Sequence, residues 1–416
     1  MCSFLVTNKS NFSLDNISLK RMQQRGPTGT TITRVKNNTI VHSLLHITGE
    51  TTFQPFIKNN DFMVFNGEIY NYDKSYSSDG CFLFDNLKKL NQLEGEYSGM
   101  FFSNNNCFIF SDLFGTKPLF YAFENNEYGI STFYNSLKSL GFKNIKKALN
   151  NAILDLQNDF SFKIHDLNLN QNVDNFDLWE SNFLESVLKR YKKHKTFLCI
   201  SSGYDSGAIG LACKILDLDV KMYCIKNNEN IKVLEDRNSF LGNIKFIDVD
   251  AYKINKNLNL INYYGDDYIF NNYNYKTDSA SIGLSIICEQ AKKDDLNVML
   301  SGSGSDEIMS DYGIEGRDIF GDSLLKGIFP EDLNSVFPWK NFFQGRQEQY
   351  LFKEECVAGI HGIEGRYPFL DKRLVQSFLN LKSSLKNKSY KSPLAHFFDK
   401  YNFPYEKNIK RGFKCE

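Results

Sequence analysis

The stretch KTFLCISSGYDSGAIGLACKIL, residues 195–216, combines a short apolar run, a loop of small residues and a helical pattern. The same alternation continues downstream in VKMYCI, IKFIDV, SIGLSIICEQAKK and NVMLS. Strands that alternate with helices in this way form an open parallel sheet with helices on both faces. The sequence therefore predicts a doubly wound parallel α/β domain over residues 178–416.

The first 165 residues have a different pattern. Short aromatic-rich runs such as FMVF, GMFF, CFIF and PLFYAF alternate with clusters of Asn, Gly and Ser, which is typical of a mostly β domain with few helices. The polar stretch HDLNLNQNVDNFD, residues 165–177, separates the two patterns. Because single hydrophobic cores stop growing near ~250 residues, we expect two domains, 2–165 and 178–416.

Charge and hydropathy limit the classes of partner. The net charge of the chain is zero, which disfavours binding to nucleic acid or to an anionic membrane surface. No window has the ~18 apolar residues of a membrane-spanning helix, and the N-terminal residues lack a basic segment followed by an apolar run. We expect a cytoplasmic protein with neither nucleic acid nor membrane as a partner. A homodimer is compatible with the sequence, which does not decide the oligomeric state.

One cysteine stands apart from the others. Cys2 follows Met1, and removal of Met1 would leave a thiol and an α-amine on one residue. An amine with a pKa near ~8 can take the thiol proton, so that the thiolate attacks a carboxamide carbon; an incidental cysteine is the alternative. The other cysteines form no CxxC pair. We therefore expect them to be reduced thiols, most of them buried. The nine cysteines lie at positions 2, 81, 107, 199, 213, 224, 288, 356 and 415.

Residues 63–72, MVFNGEIYNY, are an apolar strand that runs into Asn-Gly-Glu. The side-chain N–H of Asn66 and the backbone N–H of Gly67 could stabilise the oxyanion of an acyl transfer, and Glu68 could hold the ammonium of a free amino acid. The alternative is a hairpin turn, for which Asn-Gly is a common pair.

Two small-residue loops each follow a predicted strand and precede a helix: SSGYDS, residues 201–206, and SGSGSDE, residues 301–307. Backbone N–H groups at a helix N-terminus and serine hydroxyls can hold a pyrophosphate, and Asp205 can bind Mg²⁺. Ligands of open α/β sheets bind at the carboxyl ends of strands, where both loops lie. A serine-rich turn that caps a helix is the alternative for the first loop.

The first domain resembles the class II glutaminase domain of the class B asparagine synthetases. The resemblance is carried, in order and spacing, by Cys2, RGPT (25–28), NGEIYNY (66–72), SDG (78–80) and SDLFGTKPLFY (111–121). It implies an Ntn-type domain with αββα layers. It also implies that the oxyanion hole is formed by Asn66 and Gly67, and that the glutamine amino group is held by Glu68 and Asp79.

The second domain resembles the adenylating domain of the same family, with a PP-loop of the ATP pyrophosphatase type. HGIEGRYPFLDKRLV (361–375) and IKRGF (409–413) extend the likeness over nearly the whole chain. The resemblance implies ATP and Mg²⁺, with Asp205 and Asp306 as metal ligands and Lys410 neutralising charge during adenylation and acyl transfer. The ATP-binding residues that it implies are Ile200, Ser201, Ser202, Gly203, Asp205, Ser206, Ile225, Ser301 and Gly302.

Two departures from the family concern glutamine. The family's RGPD is RGPT here, and Leu44 stands where the family has the arginine that holds the glutamine carboxylate. Loss of an arginine–carboxylate pair removes a charge-assisted, bidentate contact. The candidates for a substitute are Arg21, Arg25 and Arg34.

Further departures concern the acceptor. Ser303 occupies a loop position where the family has a carboxylate or Tyr, and a hydroxyl is not an ordinary base at neutral pH. Segment 273–285 lacks the arginine that holds aspartate in the bacterial enzymes. Two acidic residues are candidates for the proton transfer that Ser303 cannot perform. They are Glu364, which we count among the catalytic residues, and Asp278. A lining made neutral by Ser303 and Ser279 disfavours free aspartate.

These features predict an ATP-dependent, glutamine-hydrolysing amide ligase with glutamine, ATP and a carboxylic acid as partners. Glutamine is hydrolysed at Cys2 through a thioester, and the ammonia amidates an adenylated carboxylate to give amide, glutamate, AMP and pyrophosphate. A first alternative is a tailoring synthetase that amidates a sugar acid, peptide or other metabolite, or that forms an intramolecular amide. A second alternative is a non-catalytic homologue that only binds nucleotide.

Overall fold

The computed structural model describes residues 2–227 and 229–413. The predictions that involve Met1 and Cys415 lie outside these residues. The chain divides into two compact units. The first contains the residues up to Asp166 together with 259–276 and 352–364, and the second contains 167–258, 277–351 and the residues from Gly365 onward.

The first unit contains two antiparallel six-stranded sheets. Its helices are α1 (Asn16–Arg25), α2 (Asp79–Asp85) and α3 (Tyr134–Ser139), and its strands are β1 (Ser3–Thr7), β2 (Gly29–Val35), β3 (Asn38–Leu44), β4 (Phe56–Lys58), β5 (Asp61–Ile69), β6 (Gly95–Ser103), β7 (Asn106–Ser111), β8 (Phe120–Glu124), β9 (Glu127–Ser131), β10 (Lys146–Lys147), β11 (Ala152–Asp155) and β12 (Phe160–Lys163).

The two sheets pack face to face. One has the order β10-β8-β9-β1-β3-β2 and the other β12-β11-β7-β6-β5-β4. Alternate residues of each strand point into the space between the sheets, where Phe4 and Ile40 of one sheet meet Phe62 and Met100 of the other. All four side chains are fully buried, so this apolar layer is the main core of the unit.

Helices cover both outer faces. On one side, Met22 of α1 is buried and its carbonyl accepts a hydrogen bond from the Ser3 hydroxyl at the start of β1. On the other side, Leu83 of α2 packs with Met63 and Phe65 of β5. The predicted αββα layers are therefore confirmed.

The second unit is built around a five-stranded sheet of order β15-β14-β13-β16-β19. Its strands are β13 (Thr196–Cys199), β14 (Lys221–Cys224), β15 (Ile244–Phe246), β16 (Val298–Leu300), β17 (Gly313–Ile314), β18 (Arg317–Asp318) and β19 (Glu364–Arg366). Its helices are α4 (Asp177–Arg190), α5 (Tyr204–Ile215), α6 (Ile231–Leu241), α7 (Ala251–Tyr264), α8 (Ser279–Lys293), α9 (Ser305–Met309), α10 (Lys340–Phe343), α11 (Arg346–Ile360), α12 (Lys372–Asn380), α13 (Ser383–Lys386) and α14 (Ser392–Lys400). Of these helices, α7 and α11 belong to the second unit only in part, because their residues from 259 and from 352 onward lie in the first unit.

The strands β13, β14, β15 and β16 are parallel to their neighbours, as predicted. Leu198 of β13 is the register partner of Leu300 of β16. Because the two strands end side by side, the loops at 201–206 and 301–304 leave the same edge of the sheet. This edge is where the phosphate-binding loops were expected.

The structure adds one feature to the domain organisation. Segments 259–276 and 352–364 belong to the first unit although they lie in the second half of the chain. Helices α7 and α11 run without a break through the boundaries at 258/259 and 351/352, so no change of composition or pattern marks where these segments begin. Within residues 2–227 and 229–413, no helix is both long and apolar enough to cross a membrane.

Candidate active sites

Cys2 lies at the start of β1 and lines a cavity of the first unit. The cavity has a volume of about 40 Å³, enough for only a few water molecules, so glutamine could enter only if its walls moved. Three of the predicted glutamine-binding residues share the lining with Cys2: Gly67, Glu68 and Asp79.

The Cys2 thiol is a poor nucleophile in this environment without a base. Burial raises the pKa of Cys2 to about 11, although a hydrogen bond from the Leu45 backbone acts in the opposite direction. A buried arginine fixes the backbone at this position, because Nε of Arg25 donates to the Cys2 carbonyl at 3.1 Å. Arg25 is held in turn by the carboxylate of Glu355, 2.5 Å from its Nη2.

Asn66 and Gly67, the predicted oxyanion donors, are neighbours on β5, and Gly67 lines the Cys2 cavity. The Asn66 side chain is fully buried, and neither its oxygen nor its nitrogen has a hydrogen-bond partner among the described residues. A buried amide without partners costs about 1–3 kcal/mol, which a bound substrate could offset. Gly67 has φ of +142°, and a Cβ there would lie 2.0 Å from the carbonyl oxygen of Glu96. Only glycine fits this position.

Two carboxylates form a negative patch in the same cavity. The carboxylate of Asp79 accepts hydrogen bonds from the backbone N–H groups of Ile69 at 3.0 Å and Gly80 at 2.8 Å. Burial, followed by the nearby charge of Glu68, nevertheless raises the pKa of Asp79 well above its ordinary value. A substrate ammonium would relieve this repulsion.

The proposed substitutes for the missing arginine do not line the cavity. Arg21 donates to the carbonyls of Tyr263 and Tyr264, Arg25 is paired with Glu355, and Arg34 belongs to β2. The one basic side chain among the described lining residues is that of His46, two residues after Leu44. Sequence reasoning missed His46, since a lone histidine carries no motif.

Glu364 also lines the Cys2 cavity. Sequence reasoning placed it with the adenylation chemistry, because it belongs to the HGIEGRYPFLDKRLV motif. The structure assigns residues 352–364 to the first unit, and Glu364 is the last of them. Asp278, the other candidate base, accepts a hydrogen bond from the Ala280 backbone at the start of α8.

In the second unit, hydrogen bonds shape the loop at 201–206. The hydroxyl of Ser206 accepts from the Ser201 backbone at 2.9 Å, and the Ser201 hydroxyl accepts from the Gly203 backbone at 3.1 Å. The Ser202 backbone and hydroxyl both donate to the carboxylate of Glu229. The two hydroxyls of Ser201 and Ser206 lie 2.8 Å apart, at the N-terminus of α5.

A buried arginine supports this loop. Nη1 of Arg237 donates to the carbonyls of Ser201 and Gly203, and its Nε donates to the carbonyl of Pro404 at 2.9 Å. Burial lowers the pKa of Arg237 to about 10, which leaves the side chain charged at neutral pH. Sequence reasoning did not identify Arg237, because it lies on α6 far from any loop motif.

The two loops meet at Gly302. A Cβ at this residue would lie 2.8 Å from the Cβ of Asp205, so the close approach requires glycine. The Ser301 backbone donates to the carbonyl of Arg366 at 2.9 Å, and the Ser301 hydroxyl accepts from the Ser303 backbone at 3.1 Å. Ile200 and Ile225, two of the ATP-binding residues that the resemblance implies, are both buried.

Asp205 and Asp306 surround one ammonium group. Nζ of Lys391 contacts Oδ1 of Asp205 and lies 2.8 Å from Oδ1 of Asp306. Lys410 contacts the other oxygen of Asp306, and the Tyr390 hydroxyl donates to Oδ1 at 2.8 Å. The predicted pair of aspartates and Lys410 are thus brought together, along with Lys391, which the sequence analysis missed.

The charges of this cluster are strongly coupled. Burial alone would raise the pKa of Asp306, but Lys391 and Lys410 outweigh it and hold the pKa well below its ordinary value. Burial likewise opposes protonation of Lys410, whereas Asp306 and Asp205 hold its pKa above its ordinary value. The adjacent Glu307 behaves differently, because burial and the charge of Asp306 raise its pKa to about 7.

The residues present fit Mg²⁺ bound together with phosphate. No group of three or more His, Cys, Asp or Glu side chains that could hold a metal occurs within the described ranges. Mg²⁺, however, is commonly bound through one or two carboxylates plus the phosphate oxygens of a nucleotide. Asp205 and Asp306 supply such a pair, and Lys391 and Lys410 would be left to face the phosphates.

Fold and sites define the class of protein. A four-layer unit with a cysteine cavity, joined to a parallel α/β unit with two phosphate-loop motifs, is the arrangement of a glutamine-dependent amidotransferase with an ATP-using ligase unit. The family model for asparagine synthase matches residues 180–325 and 340–407, just over half of the chain. The chain belongs to the asparagine synthase family, as its motifs predicted, and is an amide ligase.

Curated relatives agree with this assignment. A putative glutamine-hydrolysing asparagine synthetase of Methanocaldococcus jannaschii is 26% identical, over 86% of this chain and 72% of the relative. A probable glutamine-hydrolysing asparagine synthetase of Acanthamoeba polyphaga mimivirus is also 26% identical, over 81% of this chain and 68% of the relative.

Solved structures give weaker likenesses. The glutamine phosphoribosylpyrophosphate amidotransferase of B. subtilis has a TM-score of 0.32 at 10% identity and covers 73% of this chain and 82% of its own. An allosteric regulatory enzyme of purine biosynthesis has a TM-score of 0.30 at 12% identity, covering 48% of this chain and 60% of its own. Such low scores support no functional inference.

Proposed function

We propose that the first unit hydrolyses glutamine at Cys2 and that the second unit uses MgATP to adenylate a carboxylic acid, which the released ammonia then amidates. The observation that carries the proposal is that each unit assembles its own chemically matched set of groups. In the first, Cys2, Gly67, Glu68 and Asp79 line one cavity, and the Asn66 amide next to Gly67 is buried without a hydrogen-bond partner among the described residues. The second has two aspartates and two lysines at the meeting point of two loops.

In the glutaminase step, the Cys2 sulfur attacks the carboxamide carbon, and the oxyanion is stabilised by the Asn66 side chain and the Gly67 backbone. Collapse of this intermediate expels ammonia and leaves a thioester, which water hydrolyses to glutamate. Because burial raises the thiol pKa, a nearby base must take its proton. The α-amine of Cys2, freed by removal of Met1, is the base that we propose.

Glutamine is held through its ammonium group and its α-carboxylate. Glu68 and Asp79 receive the ammonium, which neutralises their mutual repulsion. His46 is proposed to contact the carboxylate in place of the family's arginine, since it is the basic side chain that lines the cavity beside Leu44. A single imidazole binds a carboxylate less strongly than a bidentate guanidinium, so we expect weaker glutamine binding than in relatives with arginine.

In the adenylation step, the backbone and hydroxyls of the 201–206 loop bind pyrophosphate oxygens at the N-terminus of α5. Mg²⁺ held by Asp205 and Asp306 supplies Lewis-acid stabilisation of phosphate charge when bound. Lys391 and Lys410 exchange their carboxylate partners for phosphate oxygens and neutralise the charge that develops as pyrophosphate leaves.

The acceptor is the part of the reaction that most separates this chain from its relatives. Ser303 cannot act as a base, and no arginine occurs in segment 273–285. These residues favour a tailoring synthetase acting on an acid other than free aspartate.

The test separates the two half-reactions. Glutamate release should occur without ATP, and acid-dependent pyrophosphate exchange into ATP should occur without glutamine. Exchange without any glutaminase activity, or glutaminase activity without exchange for any acid tried, would each contradict the two-site proposal. Absence of both activities would favour the non-catalytic alternative.

A further inference from the structure

The second unit contains a cavity of about 300 Å³ next to the aspartate–lysine cluster. Tyr390 and Lys391 line the cavity and also contact Asp306, at 2.8 Å in each case. The hydroxyl of Ser310, another lining residue, donates a hydrogen bond to the Asp306 carbonyl at 3.0 Å. The cavity therefore shares a wall with the groups that bind phosphate in the proposed reaction.

The size of the cavity suits a molecule larger than aspartate. Pockets for small molecules start at roughly 300 Å³, the volume found here. Aspartate would leave most of this space unfilled, and unfilled space forfeits dispersion contacts. An acid that fills it must extend well beyond the reacting carboxyl group.

The lining indicates the shape of that acid. Met309, Ile314 and Ile328 supply apolar surface to the cavity. Lys388 is exposed at the cavity and has no ion-pair partner among residues 2–227 and 229–413. The carboxylate of Glu315 also lines the cavity, but it accepts a hydrogen bond from the Asn408 side chain at 3.0 Å. Apolar lining together with an ammonium that has no ion-pair partner favours a ligand with an apolar body and a second anionic group.

We propose that this cavity binds the body of the acceptor: a carboxylic acid longer than aspartate, with an apolar middle and a second anionic group that meets Lys388. The inference rests on the proposed function, because it assigns the reacting carboxyl group of the acid to the wall formed by Tyr390 and Lys391, the two lining residues that contact the Asp306 carboxylate. It extends that function by naming the class of substrate.

The probe is a series of linear α,ω-dicarboxylates from succinate to sebacate, compared with aspartate and with the monocarboxylate octanoate. Adenylated acid is trapped with hydroxylamine in place of ammonia and measured as hydroxamate, together with AMP. We expect kcat/KM to rise with chain length beyond succinate and to exceed the value for aspartate at its maximum.

Two variants test the lining without touching the phosphate-binding groups. Ile328→Trp partly fills the cavity and should move the optimum to shorter acids, lowering kcat/KM for the longest ones about tenfold. Lys388→Ala should lower kcat/KM for long dicarboxylates about tenfold while leaving octanoate unchanged, since octanoate has no far anion. Leu188→Trp and Lys193→Ala, at exposed positions of the same unit, are the matched controls.

The outcomes are distinguishable. A maximum with aspartate, or a chain-length profile that Ile328→Trp and Lys388→Ala leave unchanged, would overturn the cavity assignment while the proposed function stands. Failure of every acid, including aspartate, to release AMP would contradict the proposed function itself and the assignment with it.

Discussion

The ammonium of Lys391 lies 2.8 Å from a carboxylate oxygen of Asp306. The same ammonium contacts Asp205, so one buried cation joins the ends of both phosphate loops. In the proposed reaction this lysine is ready to transfer its contacts from carboxylate to phosphate oxygens.

Replacement of this cation should stop adenylation. Lys391→Met is expected to slow pyrophosphate exchange by about 10²–10³-fold, the usual effect of losing one group that stabilises transition-state charge. Glutaminase activity should not change. Lys386→Met is the control, because Lys386 is a second buried lysine of the same segment whose ammonium donates to Gln171 and to the carbonyls of Leu379 and Leu381. Equal loss of exchange in both variants would indicate general destabilisation.

Cys2→Ala should separate the nitrogen sources. Synthesis with glutamine should fall by about 10³-fold or more, whereas synthesis with ammonia should be retained, because the nucleophile serves only one site. Cys107→Ala, in the core between the sheets, controls for the loss of a buried thiol. Intact mass should show a chain that begins at Cys2; a retained Met1 would contradict the α-amine base, and equal loss with both nitrogen sources would contradict the two-site account.

Binding of the glutamine α-carboxylate should depend on His46. His46→Ala is expected to raise KM for glutamine about tenfold, since a hydrogen bond to a charged group contributes roughly 1.5–3 kcal/mol. Ammonia-dependent synthesis should be unaffected. Leu44→Arg, which restores the family's residue, should lower KM for glutamine in the His46→Ala background. If KM is the same in all these variants, the carboxylate is bound elsewhere.

Glu307 should make stability depend on pH. Its folded pKa of about 7 lies above the ordinary value of 4.5, so the folded state holds a proton that the unfolded state releases between these values. Its contribution is therefore fully present below about pH 4.5 and is lost as pH rises towards 7, a change of about 3 kcal/mol. Urea unfolding at pH 5 and pH 7.5 should show a smaller difference for Glu307→Gln than for the wild type or for Glu235→Gln at an exposed site. An unchanged difference would show that Glu307 does not titrate in this range.

Periodic patterns and ordered motifs were enough to predict much of the fold. Alternating apolar runs predicted the parallel strands β13 to β16, and the family resemblance carried by the motifs around Cys2 and Asn66 implied the αββα layers. The inclusion of 259–276 and 352–364 in the first unit was not predictable, because α7 and α11 continue without a break through the boundaries at which these two segments begin. The local sequence pattern of a helix does not determine which of two hydrophobic cores its segments pack against.

The residues of the candidate sites also divide into those that motifs predicted and those that only the structure revealed. Asp205, Asp306 and Lys410 were named from motifs, and the structure brings them together. Lys391 and Arg237 were missed, since each acts through long-range contacts. The one local signal for Lys391 is its position directly before the helix that starts at Ser392. His46 was identified only from the lining of the Cys2 cavity.

The measurement that tests the central claim most directly follows the amide nitrogen. The enzyme is incubated with ¹⁵N-amide glutamine, ATP and either aspartate or the linear dicarboxylates, and the products are analysed by mass spectrometry. The account predicts one ¹⁵N atom in an amide of the acid, with AMP and pyrophosphate formed in amounts equal to the amide, and no ¹⁵N product from Cys2→Ala. An amide formed without ¹⁵N, or ¹⁵N-ammonia and glutamate released with no AMP from any acid, would contradict it.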